Sequence, residues 1–283
     1  MESTCFQICQ TQLTFTSEKP LRLQGNMLPF LSDASAPDCK VACRVLDKPF
    51  SPEGTLLSQK EERTVFRNGR QVFRCLSGQC GGTVAACIAY EIGVPETAVL
   101  TVTEKDRLWT TDHLRLWSTI CLPQLLLPFR ALIFHASYID DHGSGILFTA
   151  PSGTGKSTQA ELWRIYRGAR VLNGDKAGVT LRETPMAHGL PFSGTSNICE
   201  NVSLPLRAIV VLSQAPVNTV RRLRPSEAVA ALCSNLFVDQ VISEEWNFAL
   251  NLLLDLVASV PVYALACTPY ERAVQTLEQV LKP

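Results

Sequence analysis

Residues 145–158 read GILFTAPSGTGKST, and this stretch decides the fold expected for the chain. The apolar run Ile146 to Phe148 predicts a buried strand, and a helix is expected from about Lys156 to Tyr166. The loop between them has small side chains, so successive backbone N–H groups can point into one concavity. The positive end of the following helix adds to the attraction for phosphate. The order of strand, glycine-rich loop and helix therefore predicts a phosphate-binding P-loop.

The side chains of the loop indicate a nucleotide with its magnesium ion. Lys156 is placed to neutralise the β- and γ-phosphates, and the Ser157 hydroxyl is placed to ligate Mg²⁺. Ala150 stands where the usual pattern has its first glycine, and its methyl group is a small perturbation only where φ is negative. The residues expected to bind the nucleotide are Ser152, Gly153, Thr154, Gly155, Lys156, Ser157 and Thr158.

Two residues outside the loop are further candidates. Asp175 follows the short predicted strand Val171 to Asn173. A carboxylate there can hold Mg²⁺ through water or accept the proton of an attacking hydroxyl, although Asn173-Gly174-Asp175 also reads as a plain turn. His135 lies in the apolar predicted strand Ala131 to Tyr138, where a histidine is more often a hydrogen-bonded core residue than a catalyst.

Taken together, these residues resemble the catalytic core of the HPr kinase/phosphorylase family, which is itself similar to phosphoenolpyruvate carboxykinase around its nucleotide site. The resemblance covers roughly residues 130–212 and is strongest from His135 to Asp175. By position, His135 matches the family histidine, Gly153 to Ser157 the P-loop, and Asp175 the first acid of an acidic pair. The resemblance implies ATP-dependent phosphoryl transfer to a serine hydroxyl. Asp175, His135 and Lys156 are then the catalytic residues, and Ser157 and Asp175 hold the metal.

The chain also departs from the family pattern. Lys176 replaces the second acid, and Thr158 replaces a glutamate found in many bifunctional members. The glycine-rich signature of the reverse, phosphorolytic reaction is absent from the sequence. Residues 189–196 are similar instead to HPr-kinase-like proteins, some of which phosphorylate a peptide serine; this segment either lines an acceptor groove or is an ordinary loop. Arg207 and the cluster Arg221, Arg222 and Arg224 are weaker candidates for phosphate or acceptor contacts, with a solvated face as the alternative for the cluster.

The pattern outside the loop predicts two domains. Residues 1–110 read as short β-prone runs between turns, including Lys40 to Leu46, Arg63 to Phe66 and a hairpin turn at Asn68-Gly69. Residues 111–283 alternate strands with helices, which predicts a P-loop α/β domain after a β-rich N-terminal domain. The chain of 283 residues is 46% hydrophobic and carries 26 basic against 26 acidic residues. This composition argues against a disordered chain and against a nucleic-acid partner.

Cysteine usage and hydropathy predict a soluble, cytoplasmic protein. The chain has 11 cysteines, but none forms the C-x2-C spacing of a structural zinc site, and the N-terminus has no secretory pattern. Reduced, buried thiols are expected, with a metal or redox role for Cys75 and Cys80 as the alternative. No segment reaches the about 18 to 20 uninterrupted apolar residues of a membrane helix.

The expected activity is a Mg²⁺-dependent kinase that uses ATP or another nucleoside triphosphate. Its expected acceptor is a serine or threonine of a peptide or protein, with a small-molecule hydroxyl as the alternative. A nucleotide-binding regulatory protein without transfer activity is the competing interpretation, favoured by Lys176 and Ala150. The resemblance also implies a homo-oligomer, and the N-terminal domain is assigned a role in recognising a partner.

Overall fold

A computed structural model describes residues 1–18, 21, 23, 25–34, 36–48, 50–60, 62–77, 84–104 and 113–281. It has the mixed α/β class expected from the sequence, with two sheets. The chain divides into two compact units, Met1–Phe129 with Asp239–Asn247 and Arg130–Val238 with Phe248–Pro283. The domain boundary predicted between residues 110 and 111 lies outside the described residues, as does Cys80.

The first unit is built on an eight-stranded sheet, in the order β1-β2-β3-β8-β7-β6-β5-β4. The rings of Phe6, Phe15 and Trp117 pack edge to face in its core, with centroids 5.1 to 6.1 Å apart. The predicted hairpin turn is present, with Gly69 at φ 60°. The elements are β1 (Glu2–Ile8), β2 (Thr11–Ser17), β3 (Cys39–Leu46), β4 (Thr55–Lys60), β5 (Arg63–Asn68), β6 (Gln71–Ser77), β7 (Val84–Glu91), β8 (Val94–Thr103), α1 (His113–Thr119) and α2 (Leu122–Leu126).

The second unit holds the glycine-rich loop, between a strand and a helix as its sequence predicts. A two-residue turn with positive φ at both His142 and Gly143 joins the strand to the one before it, the geometry that hairpins favour. The elements are β9 (Ala131–Asp141), β10 (Ser144–Thr149), α3 (Lys156–Arg167), β11 (Arg170–Asn173), β12 (Lys176–Leu181), β13 (Pro185–Gly189), β14 (Ser203–Gln214), β15 (Thr219–Arg222), α4 (Pro225–Cys233), α5 (Ser243–Ser259), β16 (Val262–Cys267) and α6 (Glu271–Leu281). The N-terminal turn of α5 belongs to the first unit.

The strands of the second unit close into a ring. β14 pairs with β13 through its first residues and in parallel with β10 farther along, while β9 and β12 connect β10 back to β13. β16 lies parallel to β14 and extends the sheet beyond the ring. Consequently β12, β9, β10, β14 and β16 are consecutive hydrogen-bonded neighbours, and this order sets which residues meet at the end of the sheet.

Two helices cover one side of this sheet because their apolar residues recur at helical spacing. Ala273, Val274, Leu277 and Leu281 of α6 are buried, and they share one core with Trp163 of α3. Arg167 at the end of α3 forms a salt bridge with Glu278 of α6. Among the helices that the structure describes, none is long and apolar enough to cross a membrane.

A buried histidine gives the second unit a pH-dependent stability. His188 on β13 is 1% exposed and lies 2.8 Å from the Thr180 hydroxyl and 2.7 Å from the Ser203 hydroxyl. Burial, together with a smaller effect of the positive charge of Arg182, lowers its pKa to about 4. Since an unfolded histidine has a pKa of about 6.5, the unfolded chain takes up the proton first as the pH falls. The stabilisation is therefore complete above about pH 6.5 and is lost progressively down to about pH 4.

We expect the substitution His188→Gln to remove this acid sensitivity. Between about pH 7 and about pH 4.5, the free energy of unfolding of the native protein should fall by on the order of 2 kcal/mol more than that of the variant. Urea unfolding at both pH values measures the difference. His142→Gln is the matched control, because the His142 side chain is 75% exposed and should leave the native pH dependence intact. If the free energy of unfolding had the same pH dependence in the native protein and in His188→Gln, the acid sensitivity would not come from His188.

Candidate functional site

The predicted site residues meet at one end of the second sheet. The parallel strands β10, β14 and β16 end there, at Thr149, Gln214 and Cys267. The antiparallel strand β9 brings His135 to the same end, where it pairs with Lys176 at the start of β12. The carboxyl ends of parallel strands are where α/β sheets bind ligands, so this end is the candidate site.

The glycine-rich loop, Ala150 to Gly155, runs directly from β10 into α3. Gly153 and Gly155 have φ of 77° and 114°. Residues with a Cβ rarely adopt positive φ values of this kind. Ala150 is fully buried in the core and is not among the described residues with positive φ, so its methyl group is accommodated without backbone strain. Ser157 and Thr158, in the first turn of α3, are both exposed. The geometry thus leaves the start of α3 open to a ligand.

Lys156 is folded back onto its own loop. Its Nζ donates to the carbonyl oxygens of Ala150 at 2.9 Å and of Pro151 at 3.2 Å, and the residue is 7% exposed. Burial lowers the pKa of this lysine, while the negative charge of Asp175 raises it. The ammonium group is held by two neutral acceptors, and a phosphate oxygen can replace them with a stronger bond because donor and acceptor then carry opposite charges.

His135 is tied to the backbone that carries Asp175. Its Nδ1 lies 3.0 Å from the carbonyl oxygen of Asp175, and because a carbonyl only accepts, Nδ1 carries the proton. Burial lowers the pKa of His135, and the charge of Lys156 lowers it further, so the ring is neutral near pH 7 with its lone pair on Nε2. The ring also lies edge-on to Phe237, with centroids 6.2 Å apart.

Asp175 is held by its neighbours on both sides. Asn173 Oδ1 accepts from the backbone N–H of Asp175 at 2.9 Å and of Lys176 at 3.1 Å, which is the turn chemistry typical of asparagine. Lys176 Nζ donates to Asp175 Oδ2 at 2.5 Å, and the other carboxylate oxygen lies 3.5 Å from His135 Nδ1. Lys176 therefore not only removes the second acid of the family pattern but also forms an ion pair with the remaining carboxylate, Asp175.

Two aromatic rings fix the position of Lys176. Its Nζ lies 4.9 Å from the ring centroids of both Phe192 and Phe237. An ammonium group between two ring faces is attracted to both, which adds to its ion pair with Asp175. No local sequence pattern predicts these two ring contacts, because the rings come from loops that are distant in the chain.

The segment 189–196 packs against Asp175. Gly194 has φ 55°, and a Cβ placed there would lie 2.8 Å from the Asp175 Cβ. A Cβ on Gly174 would lie 2.2 Å from Ser196 Oγ, so each segment packs its side chains closely against a glycine of the other. This position beside Asp175 is compatible both with a segment that lines an acceptor groove and with an ordinary loop.

We expect Gly194→Ala to destabilise the protein more than a positive φ alone explains. The left-handed backbone costs roughly 1 to 2 kcal/mol, and overlap with Asp175 adds about 1 to 3 kcal/mol. Gly168→Ala is the control, because Gly168 has a similar φ of 68° but open space around its missing Cβ. Denaturant unfolding of the two variants compares them, and equal losses of stability would contradict the close contact.

A cavity of about 540 Å³ opens beside the glycine-rich loop. It lies toward β14 and β16, whereas His135 and Asp175 lie on the opposite side of β10. No local sequence pattern predicts it, because its walls come from segments that are far apart in the chain. Its walls are formed by the loop and by segments after the two strands: Gly153, Thr154, Gly155, Thr158, Gln159, Gln214, Ala215, Pro216, Cys267, Thr268 and Pro269.

The arginine candidates do not join this site. Arg207 donates to Asp141 at 2.9 Å and to the carbonyl oxygen of Leu281. Arg221 and Arg224 both pair with Glu227 on the exposed surface, as a solvated face predicts. The weaker suggestion that these arginines contact phosphate or acceptor therefore finds no support in their positions.

The cysteines do not form a metal cluster in the part of the chain that the structure describes. No group of three or more His, Cys, Asp or Glu side chains is arranged there to hold a metal ion. Cys75 contacts Cys87 across the β6–β7 pair, with the two sulfur atoms 2.9 Å apart. This contact and, to a lesser extent, burial raise the pKa of the Cys87 thiol, which disfavours its reactive thiolate form.

Comparison with known proteins relates the second unit to one family. Among solved structures, the chain is similar to the Hpr(Ser) kinase/phosphatase from Coxiella burnetii, with 12% identity and a TM-score of 0.31. That alignment covers 53% of this chain and 92% of the other. No curated protein matches the sequence. The family described as SynChlorMet cassette protein ScmC matches residues 104–282, which is more than half of the chain and includes the whole candidate site. The chain therefore belongs to the ScmC family.

Proposed function

We propose that the second unit is a kinase that transfers the γ-phosphoryl group of a nucleoside triphosphate, most simply ATP, to a hydroxyl group. The observation that carries this proposal is the meeting of Lys156, His135 and Asp175 at the end of β9, β10 and β12. Phosphoryl transfer needs groups that bind the phosphates and a group that accepts a proton from or orients the attacking hydroxyl, and the loop, the carboxylate and the neutral imidazole are suited to these roles. The acceptor we propose is a serine or threonine of a peptide or protein, because Gly194, which lies against Asp175, is exposed and leaves backbone beside the carboxylate open to an acceptor.

Charge stabilisation in this proposal comes from the loop. The backbone N–H groups from Gly153 to Ser157 bind the phosphate chain, and Lys156 leaves its two carbonyl partners to bind a phosphate oxygen. Both interactions strengthen as negative charge develops on the transferred group. Since the negative charge of Asp175 raises the pKa of Lys156, the two side chains lie close together, and a phosphate bound by Lys156 is a neighbour of the proposed base.

The donor set fits a magnesium ion that arrives with the nucleotide. Mg²⁺ prefers oxygen ligands and usually keeps water and phosphate oxygens with only one or two protein groups. Ser157 offers an exposed hydroxyl, and Asp175 offers the carboxylate oxygen that Lys176 does not bind. When bound, the ion would neutralise phosphate charge.

Asp175 is the proposed proton acceptor for the attacking hydroxyl. Its backbone is fixed by Asn173 and by the Nδ1–H of His135, so the carboxylate has a defined position. The neutral His135 keeps Nε2 free of a proton and is available to orient the acceptor or a phosphate. These two groups give the site one base and one positioning residue.

A regulatory protein that binds nucleotide without transferring phosphate is the second candidate. The ion pair between Lys176 and Asp175 favours it, because an ammonium group on the carboxylate opposes proton transfer to that carboxylate. Lys176 is held in place by Phe192 and Phe237, so it does not simply swing away into solvent.

Two measurements on the native protein distinguish the proposals. Calorimetry with ADP and ATP, with and without Mg²⁺, reports the phosphate site, and radiolabelled ATP reports transfer to serine and threonine peptides, small alcohols or water. Binding with transfer to a hydroxyl acceptor supports the kinase. Binding with no transfer to any of these acceptors supports the regulatory protein. The absence of nucleotide binding overturns both proposals.

A further inference from the structure

We propose that Cys75 and Cys87 in the first unit are a site of reversible oxidation, at which hydrogen peroxide converts the two thiols into a disulfide bond. The two residues lie directly opposite each other on the antiparallel strands β6 and β7. Directly opposite residues point their side chains to the same face of a sheet. Their sulfur atoms are 2.9 Å apart, and both residues are free thiols in the structure. This inference does not depend on the proposed phosphoryl transfer.

The backbone holds the two sulfur atoms close together before any bond forms. The register of β6 and β7 is regular from Gln71 opposite Glu91 to Leu76 opposite Ala86, and the cysteine pair lies within this stretch. A disulfide needs a sulfur–sulfur distance of about 2.05 Å, so the two atoms must approach each other by less than about 1 Å. Bond formation therefore requires a small adjustment of the side chains rather than a rearrangement of the strands.

A buried polar network beside the cysteine pair keeps the two strands in this register. Arg74, next to Cys75 on β6, is 5% exposed, and its Nε donates to the Tyr90 hydroxyl of β7 at 2.7 Å. The carboxylate of Glu245 accepts from Arg74 at 2.7 Å and from the Tyr90 hydroxyl at 2.6 Å. Buried networks whose members are hydrogen-bonded to each other rigidify their surroundings. Two thiols held in this way react with each other much faster than with a thiol from solution.

The burial of the pair selects a small oxidant. Cys75 is 3% exposed and Cys87 is 2% exposed, so a bulky disulfide such as oxidised glutathione does not reach either sulfur atom. Cys75 also lines a cavity of about 190 Å³, which brings a small solute next to this residue. Hydrogen peroxide is uncharged and not much larger than the water molecules that such cavities admit. It is therefore the oxidant that we assign to this site.

The oxidation takes place in two steps that release only water. The Cys75 thiolate attacks one oxygen of the peroxide, the O–O bond breaks, and the departing hydroxide takes up a proton, which leaves Cys75 as a sulfenic acid. The Cys87 sulfur then attacks the Cys75 sulfur, the S–O bond breaks, and hydroxide leaves with the Cys87 proton as a second water molecule. The two thiols lose two electrons in all, and the peroxide takes them up. Cys75 is assigned the first step because contact with Cys75 and burial raise the pKa of Cys87, which keeps Cys87 protonated.

Peptide mapping of the native protein tests the proposal. The reduced, desalted protein is treated with hydrogen peroxide, unfolded with N-ethylmaleimide to block the remaining thiols, and digested without reduction. Chymotrypsin cuts after Leu76 and elastase after Ala85, so Cys75, Cys80 and Cys87 end in separate peptides. We expect mass spectrometry to find the Cys75 peptide joined to the Cys87 peptide, with a mass lower than their sum by two hydrogen atoms. Dithiothreitol should separate the two peptides again.

Two variants test the assignment of each thiol. Cys87→Ser removes the second sulfur, so peroxide should leave Cys75 as a sulfenic or sulfinic acid without a linked peptide. Cys121→Ser is the control, because Cys121 lines the same cavity and its loss should leave the bond between Cys75 and Cys87 unchanged. A bond from Cys75 to Cys80, to Cys121 or to a second copy of the chain overturns the proposal. Recovery of both Cys75 and Cys87 blocked by N-ethylmaleimide after prolonged treatment of the native protein also overturns it, whether or not the variants fold.

Discussion

Replacing Lys156 by methionine should weaken Mg·ATP binding about 10- to 150-fold, because a bond from an ammonium group to a phosphate contributes about 1.5 to 3 kcal/mol. Methionine keeps most of the length and apolar surface of the buried lysine, so the side chain still fills its place in the loop. The phosphate loses its charged partner, while the loop amides and the cavity remain. Calorimetry on the native protein and the variant measures the ratio of the two dissociation constants.

The same variant needs a control for folding, since Lys156 donates to two backbone carbonyls that methionine leaves without a donor. A loss of about 1 to 2 kcal/mol in the free energy of unfolding is expected from these acceptors. Lys40→Met, at an exposed lysine of β3, changes the same net charge away from the loop and should bind Mg·ATP like the native protein. Binding within about threefold of native by a folded Lys156→Met protein would mean that the loop is not the phosphate site.

Local sequence patterns predicted the elements around the loop because those elements depend on neighbours in the chain. The β10 strand, its preceding turn and α3 follow from an apolar run, two turn residues and a helical repeat, and all three are present. In the second unit, two strands, β13 and β15, were not predicted. Each is short, β13 begins at a proline, and β15 carries Arg221 and Arg222, so neither resembles an apolar strand. Their place in the sheet is set by pairing with β12, β14 and β16.

The cavity and the environment of Lys176 depend on which distant segments become neighbours. The cavity exists because β14 pairs with β10 and β16 in parallel, which brings Gln214 and Cys267 beside the loop. The sequence contains no local signal of that pairing. From the sequence, Lys176 was interpreted only as the loss of a second acid. In the structure its ammonium group donates a hydrogen bond to Asp175. The chemical consequence of a substitution in a motif thus depends on contacts that the motif itself does not include.

Replacing Asp175 by asparagine should separate transfer from binding. If the carboxylate accepts the proton of the attacking hydroxyl, its removal should lower the rate of transfer by about 10²- to 10⁴-fold. Nucleotide affinity should change by about threefold or less, because Lys156 and the loop amides provide most of the phosphate contacts. Asparagine keeps the shape of the side chain and one carbonyl oxygen that Lys176 can still bind, so the turn formed with Asn173 should remain.

The comparison of Asp175→Asn with Lys176→Met then assigns the carboxylate its role. Removing the ammonium group frees Asp175 from its ion pair, and a base that this pair restrains should transfer faster, by about tenfold at saturating nucleotide. Asp255→Asn is the control for loss of a negative charge, because Asp255 is exposed and paired with Arg130 on the surface. A transfer rate unchanged in Asp175→Asn would exclude Asp175 as the base and leave the neutral Nε2 of His135 as the remaining acceptor at this end of the sheet. Faster transfer in Lys176→Met together with loss of transfer in Asp175→Asn would show that Lys176 restrains a working kinase. A protein without transfer activity would have no transfer rate for either substitution to change.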